Sequence, residues 1–306
     1  LVQVTTSTAT ITLADGNFVS TQAGVVDASG TAGVLTFDGS PENDSSLTIK
    51  GGTGNDVITG TDATLSGATV LGDTITGGNG TDTIEGSLGA DIITGGAGAD
   101  TFKYSVVADS AGSYVDTIVD FSDGTDLFDV TIDRSAVTTA QSIDLQTTAG
   151  VASKSAAQDA LTGQPGQAVY VTDTGHLYIN ANADNLLTSL DYKIKINPAG
   201  TAASTLDATN DDNINYTLTT GAAVDTISLS GGVDIITSGA GADIITTTTD
   251  GKIDVFNYGI TEWDAAAVAN GGTDVDIITG FEKTVDVLSV SLAAVETGST
   301  DWVFLD

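Results

Sequence analysis

The stretch 77–103 reads GGNGTDTIE, GSLGADIIT, GGAGADTFK, three nine-residue units laid end to end. A fixed internal period constrains the fold more than any composition can, because each unit must then be one structural element stacked on its neighbours. Here Asp82, Asp91 and Asp100 mark the period, and each is followed two residues later by a large apolar residue, Ile84, Ile93 or Phe102.

Each unit divides into a six-residue turn and a three-residue strand. Glycines such as Gly77, Gly80, Gly95 and Gly98 allow backbone angles closed to other residues and close approach of neighbouring turns. In the strand the apolar residue faces one way and its flanks the other. So short a strand buries that side chain only by stacking. Two units, eighteen residues, make one coil of a parallel roll, so turns n and n+2 are superposed. That predicts Asp82 beside Asp100 and Asp73 beside Asp91. Stacked carboxylates repel unless a cation lies between them, and aspartate oxygens with turn carbonyls make the hard-oxygen cage that Ca²⁺ prefers. The competing reading is a metal-free solenoid whose aspartates simply favour turns.

At these residues the chain resembles the RTX proteins, whose glycine-aspartate nonapeptides form a haemolysin-type calcium-binding β-roll. The resemblance implies an all-β fold: calcium-binding parallel β-roll modules in tandem, with flanking β-sandwich-like caps. It is strong over 51–130, moderate over 131–200 and 210–290, and absent over 1–50.

Composition fits this reading. The formal charge is −33, with 41 acidic residues against 8 basic ones, and aspartate carries nearly all of the negative charge. Such a field makes nucleic acid and anionic membrane poor partners, and aspartate suits turns and metal cages. There is no cysteine, hence no disulfide framework or thiolate site. No apolar run approaches membrane-spanning length, so a transmembrane protein is not expected. The chain begins at Leu1 and contains no methionine, as expected of a fragment or processed piece; no secretory signal is visible in it.

Along the chain, residues 1–50 alternate Thr, Val, Ile and Leu with small residues and read as an amino-terminal β segment. The first roll, 51–130 with its cap, opens on GGTGNDVIT, which places Asp56 and Ile58. Asp56 to Asp73 is then seventeen residues, one short of two periods, so a weakened or bulged coil is expected there. After Lys103, the run from Asp116 to Phe121, followed by Gly124, Asp126 and Phe128, resembles the flank that caps RTX rolls; the resemblance implies that Asp116 and Asp126 add ligands. Residues 131–200 form a β-rich flank with a short helix at 155–161. Asn180, Asn182 and Asp184 alternate loosely like calcium-loop ligands. A degenerate second roll occupies 201–306, with Asp225, Asp234 and Asp243 nine apart and Ile227, Ile236 and Ile245 behind them. Asp225 with Asp243 is its best site, while Asp212 and Asp254 lie off register. Residues 276–281 and Asp286 answer 116–121 and Asp126. The ending Asp301-Trp302-Val303-Phe304-Leu305-Asp306 resembles an uncleaved type I secretion signal, or is an ordinary final strand.

No catalytic constellation can be assembled. The single histidine, His176, reads as a turn residue and excludes the zinc helix and the Ser-His-Asp triad. Catalytic carboxylate pairs are singular, whereas these recur. The chain is therefore expected not to be an enzyme. The resemblance, taken with tandem modules, abundant threonine and scarce lysine, implies a secreted structural protein. It is most like a Gram-negative surface-layer protein that leaves by type I secretion, folds on Ca²⁺ and assembles with itself on the cell surface. Lipopolysaccharide is the anchor such a protein would use, through a region preceding Leu1. The alternatives are a segment of an RTX adhesin, or the carboxyl-terminal secretion and folding domain of an RTX toxin or protease.

Overall fold

The computed structural model describes residues 1–5, 8–15, 18, 24–65, 69–144, 147–182, 186–196, 214–229, 231–247, 249–258 and 276–290. Alternating apolar residues do what the period requires: short strands stack in parallel and wind between two facing sheets that share one core. Sheet one orders its described strands as Val2–Gln3, Gly24–Asp27, Leu47–Lys50, Thr74–Asn79, Ile92–Ala97, Thr117–Ile118, Tyr192–Ile196, His176–Ile179, Ala168–Val171 and Thr147–Val151. Sheet two orders Ala9–Thr12, Leu35–Asp38, Val57–Thr59, Thr83–Glu85, Thr101–Tyr104, Leu127–Asp133, Ile214–Thr219, Ile235–Thr237, Val255–Tyr258 and Val287–Val290. Sheet three stacks Ser142–Asp144, Thr226–Ser228, Ile244–Thr246 and Ile277–Thr279.

The inward ladders follow the predicted residues. Ile58, Ile84, Phe102 and Phe128 are in register on sheet two, and Ile49, Ile75, Ile93, Ile118 and Ile196 on sheet one. The strands of 1–50 join the same sheets in register, Val26 beside Ile49 and Phe37 beside Ile58. They do so without the glycine-aspartate turn, because alternation alone is enough to stack a strand on an existing edge.

The slip in the nine-residue ruler is an insertion. Asp82 and Asp100, on neighbouring coils, are 18 residues apart, but Asp56 and Asp82 are 26 apart. The surplus leaves the roll between Gly60 and Asp73 as an antiparallel hairpin, Thr64–Leu65 against Thr69–Val70. A second excursion, with a 3-10 turn at Val107–Asp109, spaces Asp100 and Asp126 by 26.

Sheet two also carries a step. Its strand Leu127–Asp133 buries Phe128, Val130 and Ile132. The inward ladder of the first roll runs through Phe128 to buried Ile214, whereas Ile132 pairs with Leu218, which begins the ladder Leu218, Ile236, Phe256 and Leu288. The inward row thus moves four residues along the strand, about 13 Å at strand rise. From this seam sheet three replaces sheet one opposite sheet two, stacking Ile143, Ile227, Ile245 and Ile278.

Sheet one closes differently. Its last strands become antiparallel, Tyr192–Ile196 with His176–Ile179 and then Ala168–Val171. Helix α1, Lys154–Ala160, is capped by the Ser153 hydroxyl accepting from Ala156 N–H. Its Ala157, with Leu161 just beyond, packs on Val169, Val171 and Tyr178 as a second small core. The Tyr192 hydroxyl donates to Thr131 O and that of Tyr216 to Gly166 O, tying this flank to sheet two.

Phe128 is the keystone of the first roll's capped end. It is fully buried, stacks on Phe121 at 4.6 Å and packs against Phe102 and Tyr104. Truncation to alanine removes these contacts and leaves a cavity, so Phe128→Ala is expected to cost about 3–5 kcal/mol in saturating Ca²⁺. The denaturant midpoint reads it; a loss below about 1 kcal/mol would mean that this end of the roll is not packed as described.

Candidate metal centre

The repeated aspartates stand at the turn–strand junctions, and the stacking of coils sets the geometry of each. Every such aspartate accepts, through one carboxylate oxygen, the backbone N–H at the equivalent place in the preceding coil. On the sheet-two side Asp56 accepts from Leu35 (2.7 Å), Asp82 from Asp56 (2.7 Å), Asp100 from Asp82 (2.9 Å) and Asp126 from Asp100 (3.0 Å). On the sheet-one side Asp73 accepts from Leu47, Asp91 from Asp73 and Asp116 from Asp91, at 2.6–2.8 Å. The second roll repeats both ladders. Asp225 accepts from Gln141, Asp243 from Asp225 and Asp276 from Asp243. Asp234 accepts from Tyr216, Asp254 from Asp234 and Asp286 from Asp254.

This use of Oδ1 explains why aspartate recurs at the sixth place, and it corrects one sequence expectation. Asp254 lies on the ladder, because two extra residues in the preceding turn restore its register; it follows Asp234 by 20 residues instead of 18. Asp212, Asp184 and the terminal hexapeptide 301–306 lie outside the described residues.

The second oxygen separates two classes of aspartate. At three ladder ends of the first roll it is satisfied by a backbone N–H: Asp56 by Gly52, Asp73 by Thr61 and Asp126 by Ser122, at 2.6–2.7 Å. Oδ2 of Asp82 and of Asp100, inside the first roll's ladder, is buried and has no hydrogen-bond partner, and the same holds for Asp225 at the head of a second-roll ladder. A buried carboxylate oxygen without a donor is costly. The turns crowd oxygen around it: a Cβ on Gly77 would strike Asp82 Oδ2 and come within 2.6 Å of Gly95 O, and one on Gly95 would strike Asp100 Oδ2. Gly80 and Gly98 have φ of +131° and +140°, and a Cβ on Gly98 would run into Gly80 O. The glycines are there because backbone and carboxylate occupy the space of a side chain.

Electrostatics points the same way. Burial, helped by Asp100 and Asp56, pushes the Asp82 carboxyl up to about 7 against the Asp56 N–H. Burial raises Asp100, Asp73 (to about 6), Asp126 (to about 6) and Asp243 (to about 7) as well. Burial drives Asp91 and Asp116 upward, helped at Asp91 by the Asp116 and Asp73 charges and at Asp116 by the Asp109 charge. In each case burial is the first cause, and at most of them neighbouring carboxylates add to it. Among the described residues no three acidic, histidine or cysteine side chains converge on one point. A cation held here must therefore take many of its oxygens from turn carbonyls, which suits a hard divalent ion of high coordination number.

Other residues have roles that the period does not reveal. Ser110 ends the sheet-one ladder, its hydroxyl accepting from Asp116 N–H and donating to Lys193 O. Asp120 accepts from both Gly95 and Gly96 N–H. The Asn180–Asn182 segment is organised by buried Asp191, which accepts from Ala181 and Thr188 N–H, while Asn180 donates to Gln164 O. His176 opens a strand between Val171 and Lys195, not the tip of a turn.

The sequence profile of the RTX calcium-binding nonapeptide repeat matches residues 48–63, 70–102 and 217–246, which carry both sets of ladders. No curated protein matches the chain. No helix among the described residues is long and apolar enough to cross a membrane.

Proposed function

The chain is an RTX-repeat protein with nonapeptides of the calcium-binding kind, and from that premise we propose that it is a calcium-dependent structural protein of the bacterial cell surface. It folds on Ca²⁺ after secretion and assembles with itself into a two-dimensional layer. The observation that carries this reading is the buried carboxylate oxygen without a donor on each of Asp82, Asp100 and Asp225. Asp82, Asp91 and Asp100 with the turns that open at Gly77, Gly86 and Gly95 are the residues that would hold the ion in the first roll, and Asp225, Asp234 and Asp243 in the second. Bound Ca²⁺ supplies the positive charge that the stacked carboxylates lack. The chain's own part is to hold one oxygen of each aspartate in the N–H ladder as the coils stack, which leaves the other for the ion.

The consequence is a switch set by location. At cytosolic Ca²⁺ the carboxylates repel and the glycine-rich turns carry a large ordering entropy, so the chain stays loose enough to be threaded outward. At extracellular Ca²⁺ the sites fill together and stabilise only the folded form. No catalytic step is assigned to the chain, whose distinctive groups are periodic and structural. A sheet continuous from Ala9 to Val290 through both rolls supports the structural reading, since it gives one rigid wall for lateral contacts.

Negative-stain electron microscopy of the purified chain, first in EGTA and then in millimolar Ca²⁺, tests the assembly. Ordered sheets that form with calcium and dissolve with chelator are expected. Discrete particles that fold on calcium and never associate would remove the layer and leave only calcium-dependent folding.

A further inference from the structure

Positive charge is scarce here, with eight lysines and arginines against 41 carboxylates, yet three of the eight share one surface. Lys193 and Lys195 alternate with buried Tyr192, Ile194 and Ile196, so they point out of the core. Their cross-strand partners are Tyr178 and His176. Helix α1 lies on the same side, and the Lys154 ammonium stands 5.7 Å from the centre of the Tyr178 ring. None of the three lysines forms an ion pair among the described residues. The nearby carboxylates, Asp159 on α1 and Asp173 in the turn before His176, are exposed and leave them unpaired. The imidazole of His176 reports the local field: burial, then Lys193 and Lys195, push it down to about 4.

The opposite field exists elsewhere on the same chain. The two excursions from the roll meet in a cleft of about 370 Å³ that Asp62, Glu85 and Asp109 line, with Ser40, Thr59 and Ser87 around them. Asp62 comes from the first excursion and Asp109 from the second. Lys103 pairs with Glu85 at 3.1 Å, and no ion pair is made by Asp62 or Asp109 among the described residues. Burial raises the Asp109 carboxyl to about 6, with Glu85 and Asp62 adding to the rise against two N–H bonds.

We propose that the lysine face formed by Lys154, Lys193 and Lys195 docks into the acidic cleft between the two excursions of a second copy of the chain. Each surface offers the charge that the other lacks, in a protein whose remaining surface repels its own kind. Because the two surfaces differ, the contact is head-to-tail; each copy keeps a free lysine face and a free cleft, so the association propagates instead of closing into a dimer. The excursions then have a purpose that the regular roll does not give them. This inference rests on the self-assembly reading and supplies one of its contacts.

Sedimentation velocity in Ca²⁺, at low and high salt, tests it, with circular dichroism confirming that every variant still folds on calcium. Wild-type assembly is expected to weaken as salt rises. K193E/K195E is expected to need a concentration at least about tenfold higher to assemble. Adding D62K/E85K to that variant is expected to restore assembly, because the attraction is then reversed on both sides. If K193E/K195E does not fold, the neutral K193Q/K195Q takes its place with the same expected direction. Unchanged assembly of the lysine variant would overturn the docking while leaving the layer intact. Loss without rescue by D62K/E85K would overturn the cleft as the partner. A wild-type chain that never assembles would remove both this contact and the layer.

Discussion

In EGTA at neutral pH the chain is expected to lose the far-ultraviolet signature of its stacked sheets, and millimolar Ca²⁺ to restore it. The interior aspartates carry the argument. Without a cation, Asp82 and Asp100 each bury an oxygen with no donor, and Asp91 faces Asp116. Folding must also order turns such as 77–80 and 95–98, whose glycines lose more freedom than any other residue. Against this, one site with a dissociation constant of about 10 μM contributes about 2.7 kcal/mol in 1 mM Ca²⁺. Several such sites amount to a large part of the 5–15 kcal/mol that typically separates a folded domain from its unfolded chain. The thermal midpoint should rise steeply with Ca²⁺, and much less with Mg²⁺, which dehydrates reluctantly and demands tighter octahedral geometry. A spectrum and midpoint indifferent to chelator would remove the switch.

Acid should partly replace calcium. In EGTA the folded fraction, read by far-ultraviolet circular dichroism, is expected to rise as pH falls from 8 to 5. The sign follows from the direction of the shifts. Asp82 and Asp243 titrate at about 7 in the folded chain, and Asp73 and Asp126 at about 6, against about 3.9 for an ordinary aspartate. Between those limits the folded chain holds protons that the unfolded chain has released. The stabilisation they give is complete below about pH 4 and is lost as pH rises through 6 to 7, with a slope on the order of 1.4 kcal/mol per pH unit for each proton. General relief of like charge follows the ordinary carboxylates near pH 4, so an effect centred above pH 5 belongs to the ladders. In saturating Ca²⁺ the trend should reverse, because protons and metal compete for the same oxygens. A metal-free folded fraction that falls on acidification from 8 to 5 would contradict the electrostatics described for the ladders.

The regular coils were legible in the sequence because their period is a physical repeat. Ile84 stacks between Ile58 and Phe102, and the Asp73–Asp91 and Asp82–Asp100 steps are hydrogen-bonded as superposed turns require. The correspondence of the two caps was legible too: Phe281 packs on Phe256 at 5.8 Å as Phe121 does on Phe102 at 6.1 Å. What stayed hidden has no periodic signature. The strands of 1–50 join the roll through alternation alone. Asp254 was displaced from the ruler by two residues that only the coil geometry absorbs. The four-residue step from Phe128 to Ile132 depends on one strand serving two registers, which a pattern read one unit at a time does not disclose. Ser110 and Asp120 act through backbone groups brought close by the fold, and their side chains carry no motif. The lysine face was invisible for the same reason, since Lys154 meets Lys193 and Lys195 only through packing of α1 on the closing strands.

In the proposed function, the interior aspartates of the ladders hold the calcium on which folding depends. Equilibrium dialysis against Ca²⁺, comparing the wild-type chain with the variant Asp82→Asn/Asp100→Asn, tests it most directly. Asparagine keeps the oxygen that accepts the neighbouring N–H but removes the charge, so the variant is expected to bind fewer ions per chain and to need more Ca²⁺ to fold. An unchanged number of bound ions with unchanged affinity would place the calcium elsewhere and leave the ladders as a purely structural device.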